Sequence, residues 1–168
     1  MIARHHAIRI AIAAVLTLAS ASAQAPLFEK LSRSASKPPS VEYLYPGQLT
    51  LRAGKPAKVA LHFRVIPGLH INSHTPSAEE LIPTTLTIPN GSGVRLESAV
   101  YPAGTDFALP IDPKTKLNVY TGEFVIETRI VATAGNHLVE AQLRYQACDQ
   151  NTCMPPRTIT AAIDVIGN

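Results

Sequence analysis

Residues 139–165, "VEAQLRYQACDQNTCMPPRTITAAIDV", contain two runs of alternating apolar and polar side chains on either side of a pair of cysteines. The inward positions of the two runs are Val139, Ala141, Leu143 and Tyr145, then Ile159, Ala161, Ile163 and Val165. Successive side chains of a β-strand point to opposite faces, so this period of two predicts two strands, each with one buried face. The cysteines then connect the end of one strand to the start of the next.

The same alternation recurs upstream and indicates an all-β domain. In residues 57–66, "AKVALHFRVI", the inward positions are Val59, Leu61, Phe63 and Val65. Pro67-Gly68 and Asn90-Gly91 are typical of turns between strands, and "SAEEL" at residues 77–81 is short enough for a turn at most. About seven to nine short strands of this kind predict an immunoglobulin-like antiparallel β-sandwich.

The N-terminus has the pattern of a secretory signal peptide. A cationic start is followed by the apolar run "IAIAAVLTLA", and Ala21-Ser22-Ala23 fits a cleavage site after Ala23. The run is shorter than the roughly 20 residues that span a membrane. We therefore expect a signal peptide at residues 1–23, a flexible leader at 24–40 and a folded domain at 41–168, in the periplasm or secreted, with no membrane insertion after cleavage.

Charge and composition exclude several other classes of protein. The formal net charge of +3 falls to +1 when Arg4 and Arg9 leave with the signal peptide. The chain has no basic run interleaved with aromatic residues, so nucleic-acid binding is not predicted. Its 168 residues, less the signal, suffice for one domain with an ordinary core.

The two cysteines, Cys148 and Cys153, have more than one interpretation. A disulfide between them would close a very small loop and would stabilise the fold by only about 2 kcal/mol in the chain-entropy model. Short exposed disulfides are also the more reducible ones, and Pro155 and Pro156 lack the amide donors that would continue a β-ladder. Spacing alone leaves a structural bridge and a redox-active pair both open, with transient copper(I) binding beside Met154 as a weaker alternative.

Other polar residues give weaker signals. His70 and His74 have a spacing that suits a helical metal pair, but the prolines and glycine around them argue against a helix, so we interpret them as ordinary polar positions rather than metal ligands. Arg144, Arg157 and Asp149 flank the cysteines and could shift a thiol pKa. We interpret all three as solvated charges at strand ends, and no metal or other cofactor is predicted.

The longest stretch without a strand pattern lies between Tyr101 and Tyr120 and is interrupted by three prolines. Irregular loops of this length are commonly functional or mobile. The segment is therefore predicted to be either a lid or a surface insertion.

Several blocks of the sequence resemble the N-terminal periplasmic domain of the thiol:disulfide interchange protein DsbD and its relatives. The most specific is "YQACDQNTCMPPRTIT", and "PGLHIN", "TLTIPNGSGVRLESAVYP" and "VYTGEFVI" lie upstream. The resemblance runs from about Tyr45 to Val165 and covers most of the chain after the signal peptide. It implies an immunoglobulin-like fold, in agreement with the strand pattern.

The resemblance also implies a function and roles for residues. Domains of this family shuttle electrons between a thioredoxin-like donor and exported disulfide proteins, which would make this protein a thiol:disulfide oxidoreductase if it is an enzyme. The second cysteine, here Cys153, would form the mixed disulfide and Cys148 would resolve it. The segment at residues 102–119 lies where the family has a cap loop, with Phe107 as its aromatic residue. Further supporting candidates are Tyr120, Tyr145, Pro155 and Pro156.

Two departures from the family pattern are visible. Four residues separate the cysteines where the best-known members have five, which shortens the hairpin tip. The sequence also lacks the membrane-spanning conduit and the thioredoxin-like domain of full-length members, so we expect the electron donor on a separate chain. The alternative is a noncatalytic exported binding module in which the Cys148–Cys153 disulfide is structural.

Overall fold

Twelve β-strands make up the regular secondary structure of the described residues. The structure is a computed structural model that describes residues 38–44, 47–110 and 112–168. The predicted signal peptide at residues 1–23, its cleavage site after Ala23, residues 24–37 of the predicted leader and Tyr45 lie outside this range. The strands are β1 (Val41–Leu44), β2 (Gln48–Leu51), β3 (Pro56–Val65), β4 (His70–Asn72), β5 (Thr85–Thr87), β6 (Val94–Val100), β7 (Thr105–Leu109), β8 (Asp112–Tyr120), β9 (Glu123–Ala132), β10 (Gly135–Tyr145), β11 (Ala147–Cys148) and β12 (Arg157–Gly167).

One four-stranded sheet has the order β1-β3-β9-β6 and is antiparallel throughout. The predicted inward positions of β3 are all buried, because the pleat turns every second side chain toward the core. A row of aromatic rings runs from this sheet to Tyr120 of β8, with centroid distances of 5.5 Å from Tyr43 to Phe63, 5.4 Å from Phe63 to Phe124 and 4.9 Å from Phe124 to Tyr120.

A second sheet has the order β2-β12-β10-β5 and is built on the two strands that flank the cysteines. β10 and β12 pair antiparallel along all 11 residues, from Gly135↔Gly167 to Tyr145↔Arg157. The predicted inward positions are buried, except for Ile159, which is half-buried. This confirms the two strands that the alternation predicts and places their shared end at the cysteine pair.

The third sheet, with the order β11-β4-β8-β7, carries the first cysteine at its edge. It contains the segment between Tyr101 and Tyr120, for which an irregular loop was predicted. The expectation that this segment contains no strands is wrong, because β7 and β8 form an antiparallel hairpin within it. The register shifts between Ala108 and Leu109, and this irregularity accommodates Pro113 in β8, since a proline cannot donate to a regular ladder.

The predicted all-β, immunoglobulin-like class is confirmed, with differences in detail. Short strands raise the number above the predicted seven to nine. One pairing, β2 with β12, is parallel. β1 ends at Leu44 in the first sheet and β2 begins at Gln48 in the second, so the chain passes from one sheet to the other between them. β2 then runs alongside β12, the last strand.

Turns join the strands where the sequence predicted them. Gly68 and Gly91 have φ values of 84° and 82°, a conformation that glycine adopts without steric cost. Residues 77–81 contain a turn and no helix. None of the described residues belongs to a helix long and apolar enough to cross a membrane.

Two leucines of β10 provide a matched test of the core. Leu143 is 0% exposed and Leu138 is 71% exposed. Leu143→Ala leaves a cavity in a packed interior, so we expect it to lower the free energy of unfolding by about 2–5 kcal/mol. Leu138→Ala removes a solvated side chain and should change that free energy by no more than about 0.5 kcal/mol. Urea unfolding of both variants measures the difference, and equal effects would contradict the arrangement of the sheet.

Candidate functional site

The two cysteines face each other across a short antiparallel hairpin. Cys148 ends β11 and pairs with Cys153 as an isolated bridge. On either side of the pair, Met154 N donates to Ala147 O at 2.8 Å and Asp149 N donates to Thr152 O at 3.0 Å. This is the pattern of a non-hydrogen-bonded pair, in which opposed side chains approach most closely. The sulfurs form a disulfide, with an S–S distance of 2.04 Å and a Cα–Cα distance of 4.0 Å.

The four residues between the cysteines form a turn held by a carboxylate. Asp149 Oδ1 accepts hydrogen bonds from the backbone amides of Asn151 and Thr152, both at 2.7 Å. Asp149 was interpreted as a solvated strand-end charge. The structure instead gives it a turn-forming role of the kind that Asp side chains often have, and the shorter spacing is accommodated by this compact turn.

The two sulfur-bearing residues differ in exposure. Cys148 is 2% exposed, at the end of β11, where it pairs with His70 of β4. Cys153 is exposed at the surface of the hairpin. A partner that approaches the disulfide from solvent therefore meets Cys153 first.

The segment after Cys153 is held by Gln146, a residue that the sequence analysis did not select as a candidate. Gln146 Nε2 donates to the carbonyl of Met154 at 3.2 Å, and Gln146 Oε1 accepts from Asn72 Nδ2 at 3.4 Å. Pro155 and Pro156 follow on the exposed side, before β12 begins. The signal that could have identified Gln146 is its place in the "YQAC" block, immediately beside the cysteine motif.

The register of the third sheet places Cys148, His70 and Phe107 on one face. Directly paired residues share a face, and so do residues two apart in a strand. The pairs that relate them are Cys148↔His70, Asn72↔Val119 and Phe107↔Leu117. The rings of His70 and Phe107 are in contact, with centroids 4.2 Å apart.

His70 is buried in the structure. From the sequence it was predicted to be an ordinary polar position. It is 2% exposed, and its Nε2 has no hydrogen-bond partner among the described residues. Burial lowers the pKa of the imidazole below its usual value, and the negative charge of Asp149 acts in the opposite direction. The ring is therefore mainly neutral near pH 7.

Tyr120 and Tyr145, predicted as supporting residues, form hydrogen bonds with backbone groups. Tyr120 pairs with Ile71 and so faces away from His70 and Cys148. Its hydroxyl donates to the carbonyl of Pro102 at 3.0 Å and accepts the amide of His74 at 3.1 Å, which fixes the base of the β7–β8 hairpin. Tyr145 is fully buried, and its hydroxyl accepts the backbone amide of Ser40 at 3.2 Å.

The remaining polar candidates are not gathered at the cysteines. His74 stacks on Tyr101, and its Nδ1 lies 2.9 Å from the carbonyl of Thr84. Arg144 is exposed, and Arg157 donates to the carbonyl of Pro38 at 3.1 Å. Within the described part of the chain, no three side chains of His, Cys, Asp or Glu are grouped so that they could hold a metal ion.

An open groove of about 440 Å³ adjoins the cysteine turn. Its walls include the turn at residues 66–69, Phe107 of β7 and Gln150 of the cysteine turn, with Arg64 and Glu123 at its rim. Arg64 and Glu123 form an ion pair with a nitrogen–oxygen distance of 2.7 Å. The groove is thus continuous with the face that carries His70.

The chain is similar to a known protein family and to two solved structures. A family model described as thiol:disulfide interchange protein DsbD, N-terminal, matches residues 41–164. The N-terminal domain of DsbD from Neisseria meningitidis, solved in its reduced form, is 16% identical, with 64% of this chain and 77% of that chain covered and a TM-score of 0.44. The N-terminal periplasmic domain of ScsB from Proteus mirabilis is 13% identical, with 74% of this chain and 44% of that chain covered and a TM-score of 0.50.

The comparison with curated proteins finds no match. The likeness to ScsB concerns the fold, and this chain spans less than half of the solved ScsB chain. The family model covers well over half of the present chain and includes both cysteines. The protein therefore belongs to the family of N-terminal domains of the thiol:disulfide interchange protein DsbD.

Proposed function

We propose that this domain is a periplasmic electron shuttle that exchanges disulfides with other proteins through Cys148 and Cys153. Its electron donor is a thioredoxin-like protein on a separate chain, and its acceptors are exported proteins with disulfides. Membership of the DsbD N-terminal family supports the reaction class. In this proposal the chain enters the periplasm by a signal peptide at residues 1–23, cut after Ala23, and residues 24–40 form a leader to the domain at 41–168.

The observation that carries the proposal is the unequal exposure of the two cysteines. In the reduced domain, the thiolate of exposed Cys153 attacks an acceptor disulfide, forms a mixed disulfide and releases one acceptor thiolate. Buried Cys148 then attacks the sulfur of Cys153, which restores the Cys148–Cys153 disulfide and releases the second acceptor thiolate. The acceptor gains two electrons and, from solvent and protein, two protons. Reduction by the donor follows the same steps in reverse.

Phe107 and its hairpin act as the cap in this proposal. The ring of Phe107 covers His70, which is the β-ladder neighbour of Cys148. A cap in this position shields the buried cysteine and leaves Cys153 accessible. Pro155 and Pro156 limit further strand pairing beside Cys153, because neither has an amide hydrogen to donate.

The alternative is a noncatalytic exported binding module with a structural disulfide. Its specific support is that Cys148 is packed within a sheet and that backbone hydrogen bonds flank the pair on both sides. The two functions differ in whether the folded domain releases and reforms the disulfide.

Single replacements of the cysteines separate the proposed roles. Cys148→Ser leaves the exposed thiol and removes the resolving one, so we expect a long-lived mixed disulfide with a thioredoxin-like protein that carries a single active-site cysteine, activated as a disulfide with 2-nitro-5-thiobenzoate. Cys153→Ser should form no such adduct and should lose partner reduction, because the remaining thiol is buried. Non-reducing electrophoresis and mass measurement detect the adduct. Wholesale unfolding of Cys153→Ser, seen by circular dichroism, would favour the structural role instead.

The midpoint potential gives a second test. The domain is equilibrated in graded thiol/disulfide buffers, trapped with an alkylating reagent and analysed by mass. A shuttle should have a midpoint above about −300 mV, reached while the domain remains folded. A lower midpoint, or reduction in denaturant alone, would support the binding module.

A further inference from the structure

We propose that His70 is the proton acceptor for Cys148 when this buried thiol resolves the mixed disulfide on Cys153. The inference rests on the proposed shuttle function and assigns a residue to its second step. Three independent features support it: the position of His70 beside Cys148, the burial of both residues and the unpaired ring nitrogen.

The position follows from the ladder between β4 and β11. His70 and Cys148 are direct partners in that antiparallel pair, and the Cβ atoms of such partners are about 4.5–5.5 Å apart. Both side chains project from the same face, where Phe107 packs on the imidazole ring. The imidazole therefore occupies the space between the cap and the buried cysteine.

Burial creates the need for a base. Cys148 is 2% exposed, and burial in apolar surroundings disfavours the thiolate that must attack. The thiol must therefore lose its proton to a group of the protein. His70 is mainly neutral near pH 7, so it can accept that proton.

The unpaired nitrogen fits this role. A buried ring nitrogen without a hydrogen bond costs free energy, and such groups are rare in folded proteins. His70 Nε2 is in this condition in the disulfide state, in which Cys148 has no proton to offer. Reduction places an S–H group on the face that His70 occupies, which provides the missing donor.

The charges around His70 set the direction of its pH dependence. Asp149, next to Cys148, favours the imidazolium, and burial of the ring opposes it more strongly. Arg64 and Glu123 line the same groove and form an ion pair, and Arg64 also lies 3.7 Å from Glu42. The neutral form of His70, which accepts the proton, is therefore lost when the pH falls below the ordinary imidazole pKa of about 6.5 and passes the lowered pKa of His70.

The step balances without another reactant. The proton of the Cys148 thiol moves to His70, and the Cys148 thiolate forms a bond to the sulfur of Cys153. The bond from Cys153 to the partner sulfur breaks, and the electron pair leaves with the partner thiolate. The imidazolium then gives its proton to that thiolate or to water, which returns His70 to its neutral form.

The test uses the reduced domain and the small disulfide 5,5′-dithiobis(2-nitrobenzoate) in a stopped-flow absorbance experiment. Attack by Cys153 releases the first nitrobenzoate thiolate, and resolution by Cys148 releases the second. We expect His70→Gln and His70→Phe to slow the second phase by about 100-fold, the lower range for loss of a general base, and to leave the first phase unchanged. His74→Gln is the matched control, because the ring of His74 stacks on Tyr101, whereas that of His70 contacts Phe107.

The pH profile of the unaltered domain provides a readout that needs no variant. With His70 as the base, the second-phase rate should be level from about pH 7 to 8 and fall on the acid side of about 6.5. In His70→Gln it should instead rise continuously toward the alkaline pKa of a thiol. A continuous rise in the unaltered domain would overturn the inference, even if both variants failed to fold.

The outcomes also distinguish this inference from the proposed function. A normal second phase in the two His70 variants, or equal slowing of both phases, would overturn the role of His70 and leave the shuttle function intact. If the unaltered folded domain released no thiolate in either phase, the shuttle function would fail and the inference would fail with it.

Discussion

The antiparallel pairing of β10 with β12 is the constraint on which the rest of this molecule depends. It brings residues 145 and 157 together, so the chain between them must reverse within a short distance. That reversal forms the cysteine hairpin and places β11 beside β4. β4 pairs in turn with β8, which joins the hairpin of β7 and β8 to the same sheet. The position of the cysteine pair is thus a consequence of how the longest ladder of the second sheet ends.

Cys148 and Cys153 are chemically identical residues that differ in burial. Both cysteines have the same side chain, but one belongs to a sheet and the other follows a turn. Under the proposed function, exposure lets Cys153 react with another protein, and burial leaves Cys148 to react with Cys153. In the proposed shuttle, the order of the exchange steps follows from access to the two sulfurs.

The sequence predicted the parts of the structure that depend on local pattern. Alternation identified the buried positions of β3, β10 and β12, because a period of two is a property of the strand itself. The hairpin of β7 and β8 was missed since its prolines obscured the alternation, and they are tolerated there at an irregular register. The burial of His70 was also missed, because it depends on pairing with β11, which lies more than seventy residues away in the sequence. The resemblance to a family supplied the cysteine roles, which spacing alone left open.

The hydrogen bonds that flank the cysteine bridge have a consequence for the reduced state. They join backbone atoms of Ala147 to Met154 and of Asp149 to Thr152, so none of them includes a sulfur. Cleavage of the disulfide therefore leaves the ladder of the hairpin in place, with the two thiols still opposed. Ring closure then requires little loss of conformational freedom, and the effective molarity of one thiol toward the other is high. The hairpin is in this sense a preorganised template, on which an intramolecular reaction can compete with any thiol that diffuses in from solvent.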